Sequence, residues 1–159
     1  FDLIIIQDQS QFPALFPDRF QKTAVAFDKI IDQSGSKIVF YETWGRRDGD
    51  SKNKKLFPTY DSMQKALSKS YRSTAKQCAA DIAPVGSTWK IVREKNPKLG
   101  KELYRSDGSH PSPKGAYLAA CVFYTTLFDE DPRKLEFNGN LIAAEAELIK
   151  EAAYSTRKN

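Results

Sequence analysis

Three short, uninterrupted apolar runs, each followed by a stretch with helical periodicity, limit what this chain can fold into more than any other feature. The runs are Asp2–Gln7 (DLIIIQ), Lys37–Tyr41 (KIVFY) and, more weakly, Ile82–Gly86 (IAPVG). Continuous rather than alternating apolar character predicts strands buried on both faces of a parallel sheet. After the first run, Phe20, Ala24, Phe27 and Ile31 recur at helical spacing, which predicts a helix over Pro17–Gln33 that stops at Ser34-Gly35. After the second, Met63, Leu67, Tyr71, Thr74 and Cys78 form one stripe of a helix over Pro58–Asp81. A short helical piece is expected over Thr88–Lys95. A strong helix is expected over Pro113–Phe128, with Ser112 as N-cap and an apolar face of Tyr117, Ala120/Cys121, Tyr124 and Leu127/Phe128. A last helix over Asn140–Tyr154 would present Leu141, Ala144, Leu148 and Ala152.

Strands alternating with long helices imply right-handed crossovers and a sheet covered on both faces, an α/β/α sandwich of flavodoxin-like type. The 159 residues suffice for one domain, and no internal repeat or second domain is visible. Three parallel strands make a narrow sheet and nothing precedes the first, so the expectation is a partial domain over residues 1–159 whose N-terminal strand or strands lie upstream. A chain that opens inside a strand would also have lost any signal peptide.

With 40% hydrophobic and 28% charged residues, the composition is that of a folded domain and argues against disorder. No apolar run approaches the ~20 residues that cross a bilayer. The net charge of +5 is densest around Arg46, Arg47, Lys52, Lys54 and Lys55. Asp48 and Asp50 interrupt it and no nucleic-acid motif accompanies it, so it reads as a solvated loop, and no nucleic-acid partner is expected. Cys78 and Cys121 are too far apart for a metal knuckle and there is one histidine, so no metal or organic cofactor is expected. Both cysteines are expected as buried free thiols, a helix-to-helix disulfide being the alternative in an exported protein.

The chemistry-bearing segment is Leu103–Gly115, LYRSDGSHPSPKG. Asp107 and His110 stand three apart in a loop just before a helix. A hydrolase base needs an imidazole with one nitrogen free and the other held by a carboxylate. A D-x-x-H turn supplies both from one loop. Gly108 permits the turn, and Pro111 and Pro113 stiffen its exit. A surface turn is the ordinary reading of such a pair. Here His110 is the only histidine, and it follows the last strand of an α/β pattern, where functional residues gather.

The block DGSHPSPKGAYL resembles the last motif of the SGNH/GDSL hydrolases, in which an Asp and a His three apart complete a Ser-His-Asp triad. DLIIIQDQS and APVGSTW resemble a bacterial SGNH-like branch, so the likeness runs from about Asp2 to Phe128. It implies ester hydrolysis through an acyl-enzyme, with Asp107 orienting His110 and His110 acting as base and then acid. Two departures stand out. The family's nucleophile lies in a G-D-S-type turn, and Ser10, Ser34, Ser51, Ser106 and Ser109 each lack that strand–turn–helix context. The nucleophile is therefore expected upstream, on another chain, or not at all. The family's G-x-N-D block, whose Asn donates to the oxyanion, reads Gln7-Asp8-Gln9-Ser10 here. Gln9 is the nearest match by position, with Gln7 and Ser10 as alternatives; all three have the ordinary alternative of satisfying loop backbone groups.

Trp44 and Arg46 leave the second run at the same sheet edge. Trp44 is a candidate for stacking on a sugar ring and Arg46 for holding an anionic group; the ordinary roles are core cover and solvation. Trp89 is a weaker candidate, and Arg47 reads as solvated. The expected substrate is a small ester, with an acylated carbohydrate implied by family analogy. That analogy is also consistent with export. Two rivals remain open: a non-catalytic, carbohydrate-binding module that kept the fold, and a basic nucleic-acid-binding protein.

Overall fold

The apolar runs form three parallel strands, β1 (Leu3–Ile6), β2 (Lys37–Tyr41) and β3 (Asp81–Ala83), in spatial order β1-β2-β3. The computed structural model describes residues 1–157. Ile5 lies beside Val39, and Phe40 beside Ile82. Strands that follow one another in both sequence and space need crossovers on one face, and α2 (Pro17–Asp32) and α3 (Tyr60–Gln77) supply them. There Ile38 and Phe40 of β2 pack with Phe20, Ala24, Met63, Leu67 and Tyr71. On the opposite face Val39 and Ala83 meet Trp89 of α4 (Val85–Lys95), Leu118 and Val122 of α6 (Pro113–Phe128), and Ile149 of α7 (Ala143–Ser155). The result is the three-layer α/β/α sandwich. No helix of the described residues is long and apolar enough to cross a membrane.

Several boundaries differ from expectation for identifiable reasons. The third strand ends at Ala83 instead of Gly86, and Val85 and Gly86 open α4. Pro84 ends the ladder because it has no N–H to give. α3 starts at Tyr60, behind the Thr59 N-cap whose side chain pairs reciprocally with Ser62, and stops at Gln77. Two short helices were not anticipated: α1 (Phe12–Leu15) and α5 (Pro97–Glu102). α6 has the expected span and Ser112 cap, but its buried face is Tyr117, Leu118, Cys121, Val122 and Thr125, while Ala120 and Phe128 are exposed. The last helix begins at Ala143 and buries Ala146, Ile149, Lys150, Ala152 and Ala153; Ala144 is exposed. Lys150 is tolerated inside because its Nζ donates to Leu135 O (2.6 Å) and Asn138 Oδ1 (2.8 Å). Both cysteines are free thiols, but only Cys121 is buried; Cys78 is half-buried.

β1 departs most from the expected burial. Leu3 and Ile5 point to the Val39 side of the sheet and remain 39% and 47% exposed. Among the described residues no strand pairs with the outer edge of β1. On the other face Phe27, expected in the buried stripe of α2, is exposed together with Ile30. The flank beside β1 is thus apolar above and below an open strand edge, a combination that favours association.

Candidate active site

Parallel strands bring their C-terminal loops to one edge, so residues remote in sequence meet there. The exit of β1 contributes Gln7–Gln11. Asp8 Oδ1 accepts from Gln9 N (2.6 Å), and Gln9 Nε2 donates to Ser10 Oγ (3.2 Å). The exit of β2 contributes Glu42–Arg47. The third contribution is the loop between α5 and α6, closed by Arg105 N donating to His110 O (2.9 Å) and Ser112 N donating to Leu103 O (2.9 Å). Gly108 takes φ +66°, a left-handed conformation that favours glycine.

Within this loop the Asp107 carboxylate is fully engaged. Oδ1 accepts from Ser109 N (2.8 Å) and His110 N (2.9 Å), and Oδ2 lies 2.7 Å from His110 Nδ1. The Ser109 N–H, then the imidazole and the His110 N–H, hold the Asp107 carboxyl well below the usual carboxylate range. With Nδ1 bound to a carboxylate, the neutral ring keeps its proton there and leaves Nε2 as the basic nitrogen. His110 lines a cleft of about 430 Å³ together with Gln7, Gln9, Ser10, Thr43 and Trp44. No Asp, Glu, Lys or Arg side chain lines it.

The structure therefore brings together Asp107, His110, Gln7, Gln9, Ser10 and Trp44, and leaves Arg46 aside. Arg46 lines a separate cavity of about 320 Å³ on the other side of the Asp107–Ser109 turn, and its guanidinium is paired with buried Asp50 at 2.8 Å. Arg47 pairs with Asp48 at 2.9 Å, and Trp89 is fully buried in the core. Ser10 has more local context than its sequence indicated, standing between β1 and α1 as a strand–turn–helix. Its hydroxyl is bonded to Gln9, and no serine hydroxyl among the described residues hydrogen-bonds to His110. Sequence reasoning missed Thr43, in the cleft wall, and Glu42 behind it. Glu42 is fully buried, with Oε1 accepting from Ser68 Oγ (2.6 Å), Ser87 Oγ (2.9 Å) and Gln64 Nε2 (3.2 Å). An acidic residue after an apolar strand carries no mark of such partners, which come from two other helices.

A family model described as "Domain of unknown function (DUF4886)" matches residues 1–156. A DUF4886 family protein from Bacteroides uniformis superposes with a TM-score of 0.83 at 17% identity, over 98% of this chain and 61% of that one. A proposed SGNH hydrolase from Slackia heliotrinireducens gives 0.68 at 29% identity, over 80% and 66%. A proposed GDSL-like lipase from Parabacteroides merdae gives 0.58 at 18%, over 81% and 61%. The chain thus spans 61–66% of the length of these solved chains. No curated protein matches the sequence.

Proposed function

Since this chain belongs to the DUF4886 family, with a fold shared by SGNH-type proteins, we propose that it is the base-bearing part of a serine-dependent ester hydrolase. The observation that carries the reading is the 2.7 Å contact of Asp107 with His110 Nδ1, in a loop whose imidazole lines a cleft with Gln7, Gln9 and Ser10. In this reading a serine hydroxyl attacks the ester carbonyl while His110 Nε2 takes its proton. The imidazolium, stabilised by Asp107, returns that proton to the departing alcohol. Water, deprotonated by the same nitrogen, then attacks the acyl-enzyme, and the acid and the free serine are released. Gln9 Nε2, or the neighbouring Gln7 and Ser10 side chains, donate to the tetrahedral oxyanion, often a large part of catalysis.

The serine is proposed to come from outside these 159 residues, on an upstream segment or a second chain seated against β1. The open β1 edge, the apolar flank around it and the greater length of the solved relatives support this. The cleft is lined by Trp44 and Pro111 together with uncharged Gln, Ser and Thr side chains and carries no Asp, Glu, Lys or Arg, which suits a small uncharged ester such as an acylated carbohydrate. Ser10 offers a second reading, because it shares the cleft with His110 in a strand–turn–helix.

Hydrolysis of an aryl acetate separates these readings. The 159 residues alone should give only background, and the chain with its preceding sequence should be active. His110→Ala should remove most of that activity, because triad members act as a unit, and Ser10→Ala should retain it. Activity of the 159 residues that disappears with Ser10→Ala would place the nucleophile at Ser10. Full activity of His110→Ala would end the hydrolase reading of this site and favour a non-catalytic binding module.

A further inference from the structure

The loop bearing Asp107 and His110 is poorly enclosed. The His110 side chain is 73% exposed, and among the described residues its ring bonds only to Asp107 of the same loop. The ring direction therefore depends on what fixes the loop to the sheet. Three hydrogen bonds join it to the exit of β2. Trp44 Nε1 donates to Ser109 O (3.0 Å), Arg47 N to Gly108 O (2.8 Å), and Tyr104 OH to Gly45 O (2.7 Å).

The first of these acts on the peptide unit that joins Ser109 to His110. Its C=O accepts from Trp44, and its N–H donates to Asp107 Oδ1 (2.9 Å). Pinning both ends of one peptide plane sets the direction in which the His110 Cα–Cβ bond leaves the chain. Trp44 is itself held. Its ring stacks on Trp89 with centroids 4.2 Å apart and planes 7° from parallel, and Trp89 is fully buried with Tyr104 edge-on at 5.1 Å. Orientation thus passes from the core through Trp89 to Trp44, and from there to the histidine peptide. The stacking also covers one face of Trp44, so a sugar ring could use only the other.

We propose that Trp44 is a positioning residue for His110: its indole N–H, oriented by Trp89, holds the Ser109–His110 peptide and aims the imidazole into the cleft. The proposal rests on the reading of His110 as the catalytic base, but it can be tested without any activity. Because His110 is the only histidine, imidazole ¹⁵N shifts report on it alone. Trp44→Phe keeps an aromatic ring on Trp89 and removes the N–H. It should move the neutral tautomer ratio away from the Nδ1–H form by about fivefold, the factor expected for one ordinary hydrogen bond. In a catalytically complete protein it should lower kcat by a similar factor with KM within about twofold, since an aiming defect acts on the chemical step. An unchanged tautomer ratio would overturn the proposal, as would a raised KM with unchanged kcat, the mark of a substrate platform only. Should Trp44→Phe fail to fold, indole exchange in the unaltered protein decides. The Trp44 N–H should be protected, and exchange at the rate of a free indole would refute the bond. A shifted tautomer alongside a fully active His110→Ala would leave the clamp standing and remove the hydrolase reading.

Discussion

Asp107 and Glu42 are both fixed carboxyls at the same sheet edge, and they respond to pH in opposite senses. Asp107 is half-exposed and accepts three hydrogen bonds, so its folded-state pKa is depressed. Its contribution to the order of the loop is present above the unfolded value of about 3.9 and is lost as pH falls through the depressed one. Asp107→Asn keeps the shape and loses the charge. In an active protein it should lower kcat by about 10⁴, as when a triad aspartate is replaced, and lower the urea midpoint near neutral pH only slightly, because the charged hydrogen bonds that it loses belong to an exposed loop. Activity within about tenfold of the parent would show that His110 needs no orienting carboxylate. Glu42 is buried, and burial raises its pKa despite the Ser68 and Ser87 hydroxyls, the Arg72 charge and the Gln64 amide. A raised folded value means that its contribution is present below the unfolded value of about 4.3 and is lost as pH rises through the folded one. Urea midpoints of the parent should therefore fall relative to Glu42→Gln across that window. Parallel profiles would contradict a perturbed Glu42. Asp107 and His110 were legible because all the atoms that pair them lie within three residues. Glu42 was not, because Gln64, Ser68 and Ser87 lie 22, 26 and 45 residues away.

The elements that position the site meet at close approaches, one of them at Gly86. α4 meets the exit of β2 through Gly86, whose N–H donates to Glu42 O (2.9 Å). A Cβ on Gly86 would run into the Thr43 carbonyl and the Gln64 amide. Gly86→Ala should therefore cost about 1–3 kcal/mol in chemical denaturation, the usual penalty for overpacking a tight contact. A neutral effect would mean that Thr43 and Trp44 are free to shift. This junction is also where the pattern of the sequence misled. Ala83-Pro84-Val85-Gly86 is as apolar as a strand, and only the ring at Pro84 and the lack of space at Gly86 turn it into a helix start. α6 was readable to the residue because its signals are local: Ser112 accepts from Gly115 N (3.3 Å), and Pro113 supplies a preset φ. Its buried face is turned by one position from the expected one, towards Leu118, Val122 and Thr125, since that face is chosen by α7, α4 and β3 and not by the helix alone.

Across the whole molecule, three parallel strands alternating with helices, with the β1 edge left unpaired, followed from the apolar runs, while their spatial order and the exposure of Leu3, Ile5 and Phe27 did not. Leu3, Ile5 and Phe27 read as buried because their type says so, but full burial needs cover beyond β2, and among the described residues all three stay partly exposed beside the open edge of β1. If the flank is a seat for further chain, Leu3→Ser with Ile5→Ser should reduce self-association of the 159 residues in sedimentation velocity, and the preceding sequence should do the same without substitution. Undiminished association in both would place the contact elsewhere. The same seat is where the account puts the nucleophile. The most direct measurement is therefore labelling of the chain carrying its preceding sequence with a fluorophosphonate, which reacts with activated serines, followed by peptide mass spectrometry. If the nucleophile stands on an upstream segment, one modified serine is expected, outside the 159 residues, with labelling lost in His110→Ala. Labelling that persists in His110→Ala, or no labelled serine at all, would contradict it.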